Sequence, residues 1–214
     1  MKIIGIMPIK LNNERLPGKN TKLLGGKPLL QHALDNLINT SSCDEIYVYC
    51  SNEEVINYLP KGVEFLKRDP KLDLPTSNFT QIFESFMNIK DADIYVFMHA
   101  TAPFVSTQTM KECIDAVVNN NYDSSFCAVT IQDFLWSDNQ PLNFDPSNLP
   151  RSQDLKPIYR ETSGIYVFKK SVFTTLKRRI GTNPYIKIVN FKESVDINNP
   201  EDFSLAEALI NIEL

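Results

Sequence analysis

The chain has 214 residues, of which 43% are hydrophobic and 22% charged, a composition typical of a globular protein. Its net charge of −4 excludes a global basic field, so any phosphate chemistry needs a local cluster of cations. Without such a field we expect no nucleic-acid partner. No apolar run approaches ~18 residues, so we expect no membrane span. The first residues lack the long apolar core and cleavage site of a signal peptide, so we expect a cytoplasmic location. The four cysteines lie far apart and there are only two histidines, so we expect neither a zinc site nor a disulfide framework.

The first part of the chain alternates predicted strands and helices. Short apolar runs predict buried strands at 2–7, 45–50, 63–68 and 93–100. Apolar residues at helical spacing predict helices at 27–38, 52–59, 76–89 and 106–120. This α/β order predicts a mostly parallel sheet covered by helices on both sides, with the ligand beyond the carboxyl ends of the strands.

The alternation breaks after a further predicted strand at 124–131. Residues 132–160 are rich in turn formers and show neither helical nor strand periodicity, which by itself fits a surface excursion. The segment nevertheless carries many large apolar side chains, among them Phe134, Trp136 and Phe144. Because so much apolar surface is unfavourable in water, we interpret 132–160 as an arm inserted in a single domain 1–214. We expect this arm to pack on a second copy of the chain in a homodimer. The last predicted elements are a strand, a helix, a strand and a helix, at 164–168, 170–179, 185–191 and 200–211.

The loop after the first strand has a composition suited to phosphate. It contains four cations and three amides, namely Lys10, Arg15, Lys19, Lys22, Asn12, Asn13 and Asn20. Gly18 allows the backbone to approach a ligand closely. The P-loop and the glycine fingerprint of dinucleotide-binding proteins are both absent. From charge alone, a triphosphate site and an ordinary solvated loop remain equally open.

The opening segment resembles that of the acylneuraminate cytidylyltransferase family. The matching stretches are Pro8-Ile9-Lys10, Leu16-Pro17-Gly18-Lys19-Asn20 and Gly26-Lys27-Pro28-Leu29, and the match continues through "FMHATAPF", "YRETSGIYVF" and "ESVDINNPEDF". The resemblance covers most of the chain in the right order. It implies a three-layer Rossmann-like nucleotidyltransferase fold and a Mg²⁺-dependent reaction that uses CTP.

The resemblance also implies roles for individual residues. Lys10, Lys19 and Asp196 would be catalytic, and Asp196 and Asn198 would bind the metal. The implied nucleotide-binding residues are Pro8, Lys10, Asn12, Arg15, Lys19, Asn20, Arg68, Ser77 and Asn78. Two positions depart from the family pattern: Lys10 stands where Arg is usual and has no bidentate fork, and Asn198 stands where a second Asp is common and has no charge. An alternative for 198–200 is a turn in which an Asn caps the last helix.

For the acceptor, the resemblance implies His99, Thr101 and Arg160. His99 follows a predicted strand, where it would contact the substrate or serve as a hydrogen-bonding structural residue. Arg160 would bind the acceptor's carboxylate, with a surface ion pair as the alternative. The implied activity is transfer of CMP from CTP to the anomeric hydroxyl of a sialic-acid-like 2-keto-3-deoxy sugar acid, with release of pyrophosphate, for surface glycan biosynthesis. The alternatives are another nucleotide or small acceptor, or a non-catalytic nucleotide-binding regulator.

Overall fold

The elements follow one another as alternating strands and helices in the computed structural model, which describes residues 1–212. The strands are β1 (Ile3–Pro8), β2 (Leu23–Leu24), β3 (Lys27–Pro28), β4 (Glu45–Cys50), β5 (Glu64–Lys67), β6 (Ile94–Met98), β7 (Ser124–Ile131), β8 (Trp136–Ser137), β9 (Gln140–Pro141), β10 (Ile158–Lys169) and β11 (Pro184–Ile188). The α-helices are α1 (Leu29–Thr40), α2 (Phe79–Met87), α3 (Thr107–Asn119), α4 (Lys170–Leu176) and α5 (Pro200–Leu209). Short 3-10 helices lie at Lys19–Thr21, Glu53–Tyr58, Pro70–Asp73, Ser152–Asp154 and Lys192–Ser194.

Seven strands form one sheet in the order β11-β7-β10-β6-β1-β4-β5. Strands β6, β1, β4 and β5 pair in parallel, as do β7 and β11, whereas β10 is antiparallel to both of its neighbours. The amino-terminal half of β10 therefore lies at the same edge of the sheet as the carboxyl ends of β1 and β6. The predicted α/β fold with a mostly parallel sheet is confirmed.

Helices cover both faces of the sheet and make three layers. On one face α1 and α3 pack residues such as Leu34 and Ile114 against the strands. On the other face α2 and α4 contribute a cluster rich in aromatic rings, with Phe83 and Phe173 fully buried. Helix α1 lies so close to β1 that a Cβ on Gly5 would come within 2.8 Å of the Leu37 side chain. Among residues 1–212, no helix has the length and apolarity needed to span a bilayer.

Two predicted helices differ from the structure in type or length. The segment predicted as a helix at 52–59 forms the 3-10 helix Glu53–Tyr58. It is capped by the Asn52 side chain, which accepts a hydrogen bond from the Glu54 amide at 2.9 Å. The helix predicted at 170–179 ends at Leu176, because Lys177 adopts a left-handed conformation with φ 52°. The following residues thus leave the helix and turn back toward the sheet.

The arm is shorter than the 132–160 segment that we predicted. Residues 158–160 begin β10 and pair with β7, so the irregular segment ends at residue 157. Within it β8 and β9 form a hairpin, and the ring of Phe144 packs against Phe134 and Trp136 at centroid distances of 4.9 and 5.5 Å. Trp136 is still 60% exposed. The apolar surface expected from the sequence is present, and its packing on a second copy remains a prediction.

Candidate active site

The carboxyl edge of the sheet holds a cavity of about 390 Å³. Its lining combines residues that follow β1, β5 and β6 with the segment before α2. Five of the predicted site residues line it, namely Pro8, Lys10, Arg68, Ser77 and His99. Because parallel strands end at one edge, the fold alone brings Pro8, Arg68 and His99 together, although they are far apart in sequence.

A second cavity, of about 270 Å³, is formed by the opening loop. It is lined by Lys10, Asn13, Glu14, Arg15, Leu16, Lys19, Pro75 and Asn198. Lys10 and Pro75 line both cavities, so the two spaces adjoin at these residues. An elongated anion could therefore pass from the loop to the edge of the sheet beside Lys10.

Buried polar side chains hold the opening loop in place. Gly18 has φ 65°, a conformation that favours glycine, and precedes the 3-10 helix Lys19–Thr21. The Asn20 amide, 5% exposed, donates to the Lys10 carbonyl at 2.8 Å. The Lys19 ammonium, 7% exposed, donates to the Ile197 carbonyl at 2.7 Å, and burial lowers the pKa of Lys19. Asn20 therefore acts on the loop backbone, whereas Lys19 brings a desolvated cation to the cavity.

Arg68 is held at the base of the larger cavity by Asp73, which the sequence analysis did not identify. The guanidinium, 3% exposed, donates to the Ile9 carbonyl at 2.9 Å and pairs with the Asp73 carboxylate. Ser51 also donates to Asp73, and the Lys10 ammonium donates to the Asp73 carbonyl at 3.3 Å. The Arg68 Nε atom is buried without a partner in the described part of the chain. This buried donor makes Arg68 suited to bind a ligand oxygen or nitrogen.

The segment before α5 presents one free carboxylate oxygen. Asp196 Oδ1 is buried with no hydrogen-bond partner among residues 1–212, and its Oδ2 accepts from the Asn198 amide at 2.8 Å. The Asn198 amide oxygen accepts from Arg15 at 3.0 Å. Asn199 and Asp202 form a capping box at the start of α5.

This arrangement fits a cation held mainly by its substrate. Residues 1–212 contain no cluster of three His, Cys, Asp or Glu side chains that could bind a metal by themselves. Mg²⁺ commonly uses one or two carboxylates together with substrate phosphates and water. Asp196 lines neither cavity, but its orphaned oxygen could supply one such ligand, while the Asn198 oxygen is already paired with Arg15.

His99 lies at the end of β6 as a neutral side chain. Its Nε2 atom is buried and has no partner in the described residues, and its ring contacts those of Phe97 and Tyr166. Burial lowers the pKa of His99 to about 4, and the nearby positive charge of Arg179 adds to this effect. Thr101, also expected at the acceptor, uses its carbonyl to accept from the Ile197 amide at 2.8 Å and so joins β6 to the Asp196 segment.

Some predicted site residues lie away from the two cavities or are already hydrogen-bonded. Asn12 is exposed and lines neither cavity, whereas its neighbour Asn13 lines the smaller one. The Ser77 amide donates to the Leu74 carbonyl and the Asn78 amide to the Gln81 side chain, so neither backbone donor is free for a base or ribose. Asn78 is the N-cap of α2. A cap signal was present in the sequence, since Gln follows Asn at the spacing of a capping box.

Arg179 lines the larger cavity, whereas the predicted acceptor residue Arg160 does not. Arg160 is exposed on β10, opposite Val129, and lines neither cavity. Arg179 follows the early end of α4 and lines the larger cavity with His99. Its guanidinium lies 3.6 Å from the centroid of the Tyr166 ring. Arg179 is the last residue of the helix predicted at 170–179. Because basic side chains are ordinary in the last turn of a helix, its residue type did not mark it as a site residue.

Residues 4–213 of the chain match the family model described as Cytidylyltransferase.

The chain belongs to the cytidylyltransferase family.

The N-acylneuraminate cytidylyltransferase of Oncorhynchus mykiss is 25% identical over 203 residues, which are 90% of this chain and 46% of that protein. The CMP-N,N'-diacetyllegionaminic acid synthase of Legionella pneumophila is 23% identical over 240 residues, covering 99% of this chain and 97% of that protein. The chain thus spans about half the length of the trout cytidylyltransferase and nearly all of the bacterial one.

A solved structure of CMP:2-keto-3-deoxy-manno-octonic acid synthetase complexed with CTP matches with a TM-score of 0.72 at 15% identity, over 100% of both chains. At that identity the match supports the fold of this cytidylyltransferase family member. It agrees with the three-layer nucleotidyltransferase fold that the resemblance implied.

Proposed function

We propose that the protein transfers CMP from CTP to the anomeric hydroxyl of a sialic-acid-like 2-keto-3-deoxy sugar acid and releases pyrophosphate. The observation that carries this proposal is the junction of the two cavities at Lys10. The smaller cavity is lined by cations suited to a triphosphate, and the larger one extends to His99 and Arg179. The names of the trout and Legionella relatives support a sugar acid as the acceptor.

The residues around the junction would act on developing charge. The acceptor hydroxyl attacks the α-phosphorus of CTP and releases its proton to water. The bond between the α-phosphorus and the oxygen that bridges it to the β-phosphorus breaks, and pyrophosphate leaves with its negative charge. Lys10, Lys19 and Arg15 would stabilise that charge on the side of the small cavity. Lys19 is effective there because it is buried and its position is fixed by the Ile197 carbonyl.

We also propose Mg²⁺ as the cofactor, bound by Asp196 and by substrate phosphates. The cation would neutralise charge on the triphosphate. Asn198 is a weaker second ligand, because its amide oxygen is paired with Arg15 and carries no charge. In this assignment Arg15 provides part of the positive charge near that position.

Arg68 is proposed to bind the nucleoside and His99 to contact the acceptor. Arg68 has an unpartnered buried Nε, and Asp73 and the Ile9 carbonyl fix its guanidinium. His99 stays neutral near pH 7, since its pKa is lowered to about 4, so its free nitrogen can form a hydrogen bond to a sugar hydroxyl. Such a low pKa makes His99 a weak general base.

The exposed arm supports a homodimer, and we propose surface glycan biosynthesis as the process that uses the product. The first test is pyrophosphate release with Mg²⁺, each of the four ribonucleoside triphosphates, and sialic, legionaminic, pseudaminic and 3-deoxy-octulosonic acids. Release with CTP and one of these acids supports the proposal and identifies the acceptor. The same reactions with EDTA should give no release.

Two outcomes of this assay favour the alternatives. Release with another triphosphate would assign a different nucleotide to the same site. Binding of CTP with no release in any combination would favour a regulator that binds the nucleotide without turnover, a reading consistent with Asn198 in place of a second carboxylate.

A further inference from the structure

Arg179 reaches the active-site edge because of the direction of β10. Strand β10 is antiparallel to β6, so it ends at the opposite edge of the sheet, where Lys169 pairs with Ile94. Helix α4 then runs back and ends early, at Leu176. Arg179 thus arrives beside the carboxyl end of β6, in the lining of the larger cavity.

The cations of this cavity lie on different sides. Arg68 follows β5, at one end of the sheet order, whereas Arg179 contacts Tyr166 of β10. Strands β6, β1 and β4 lie between β10 and β5, and neighbouring strands are about 4.8 Å apart. The Arg68 guanidinium bonds the Ile9 carbonyl, just after β1, and Arg179 contacts Tyr166 of β10, with β6 between them. The two cations therefore enter the cavity from different strands, and Arg179 is available for a second anionic group.

The guanidinium of Arg179 is fixed yet incompletely used. It stacks on the Tyr166 ring, and its Nη2 atom donates to the Tyr166 hydroxyl at 2.9 Å and to Glu161 at 3.1 Å. Both hydrogen bonds to the described residues leave from Nη2, so Nη1 and Nε can still donate. Because stacking already fixes the plane of the guanidinium, little side-chain conformational entropy is lost when a ligand binds to it.

Glu161 does not cancel this positive charge. Its side chain is 41% exposed and that of Arg179 is 27% exposed, so their ion pair is partly screened by water. The Glu161 carboxylate also accepts a hydrogen bond from Tyr166. It therefore orients the Tyr166–Arg179 stack through the Tyr166 hydroxyl and Nη2 of Arg179.

We infer that Arg179, rather than Arg160, binds the carboxylate of the acceptor acid and makes the enzyme select acids over uncharged analogues. The inference rests on the proposed function, because it assigns a group of that reaction's acceptor. Tyr166 and Glu161 are positioning residues that act through Arg179. Arg160 cannot take this part in the structure, since it is exposed and outside both cavities.

The test compares an acid with its C1 carboxamide in three proteins. Wild type, Arg179→Gln and the matched control Arg160→Gln are assayed for pyrophosphate release with CTP and either N-acetylneuraminic acid or its carboxamide, and with the best acid of the panel above. Wild type should prefer the acid by about 30-fold or more in kcat/KM, as expected for a desolvated charge-assisted pair. Arg179→Gln should reduce the preference to a few-fold and leave the KM for CTP within a few-fold, while Arg160→Gln keeps the preference.

Other results would overturn the inference. An Arg179→Gln variant that loses acid and carboxamide reactions equally would make Arg179 a support for Tyr166 only. Loss of the preference in Arg160→Gln would return the role to that residue. Calorimetry on the CTP-loaded protein in EDTA, where no turnover is expected, measures the same preference as the difference in affinity between the acid and the carboxamide. If wild type binds an acid but releases no pyrophosphate, the proposed function fails, and the binding preference still decides the inference about Arg179. If wild type binds no acid at all, both the proposed function and the inference are overturned.

Discussion

The carboxyl edge of the sheet and the arm at 132–157 differ in the reach of the contacts that hold them. At the edge, buried cations contact residues far away in sequence, such as Lys19 with Ile197 and Arg68 with Ile9. In the arm, the side chain of Asn143 bonds Asp133 and Leu135, and Trp136 packs on Phe144, all within about ten residues. The edge therefore depends on the whole fold, whereas the arm is locally held and leaves apolar surface exposed.

This difference separates two kinds of effect. Substitutions at the edge should change chemistry or the stability of the domain, because each removes a group that several elements position. Substitutions in the arm should change association, because the domain does not depend on the exposed face. The experiments below sharpen or break this comparison.

The largest effect is expected for Asp196→Asn. The change keeps the shape but removes the charge from a buried carboxylate oxygen that has no hydrogen-bond partner in the described residues. If Asp196 binds Mg²⁺, pyrophosphate release should fall about 1000-fold, a loss typical of removing a main electrostatic group. Asp202→Asn is the control, since Asp202 caps α5, and should stay within a few-fold of wild type. Equal losses in both variants would assign Asp196 to the turn.

Lys10→Ala should lower turnover by about 100-fold or more. Lys10 lines both cavities, so its charge is placed to stabilise the transferring phosphoryl group. Lys22→Ala is a matched control from the same loop, because Lys22 stacks over the Phe203 ring and lines neither cavity. Turnover of Lys10→Ala within a few-fold of wild type would remove Lys10 from the mechanism.

Asp73→Ala tests whether the edge is also a stability element. The variant leaves the Arg68 charge buried without its carboxylate partner. We expect the free energy of unfolding in urea to drop by about 2 kcal/mol, less than for a fully buried pair because Asp73 is 26% exposed. Lys67→Ala breaks the exposed pair with Glu53 and should change stability by about 0.5 kcal/mol or less. A similar small change for Asp73→Ala would contradict the expectation.

His99 should make stability depend on pH below neutrality. Its pKa in the folded protein is lowered to about 4, whereas the unfolded chain has the ordinary value near 6.5. Between these values the unfolded state binds more protons, so stability falls as the pH decreases. From pH 6.5 to 5.5 the loss should be about 1 kcal/mol, and His99→Gln should lack that share of the slope. Burial also lowers the pKa of His32, which leaves a residual slope in both proteins.

The sequence predicted the sheet and the cavity edge well, for local reasons. Apolar runs identified the strands, and because parallel strands share a carboxyl edge, Lys10, Arg68 and His99 could be expected near one another. The start of β10 was not predictable, because its residues 158–163 do not form an apolar run, and 158–160 were therefore assigned to the arm. Arg179 was placed in a helix for a separate reason, since the pattern at 170–179 is helical.

Hydrogen-bond partners were harder to predict than positions. Asp73 could not be linked to Arg68 from the sequence, because their pairing depends on the 3-10 helix Pro70–Asp73 and on Ser51 of another strand end. The same holds for the Ser77 and Asn78 amides, whose partners are set by the exact turn before α2. Residue type and the positions of the strand ends thus predict which polar groups lie at the carboxyl edge of the sheet. The geometry of the turns determines which of these groups are left without a hydrogen-bond partner.

The smallest effect on stability, with a large effect on association, is expected for Trp136→Ser in the arm. Trp136 is 60% exposed, so the free energy of unfolding of the domain should change by only about 0.5 kcal/mol. Light scattering should show wild type as a dimer at micromolar concentration and Trp136→Ser shifted to monomer. Ile56→Ser, at a residue 50% exposed on the 3-10 helix Glu53–Tyr58, should remain dimeric. A monomeric wild type would contradict the dimer, and the apolar face of the arm would then need a different partner.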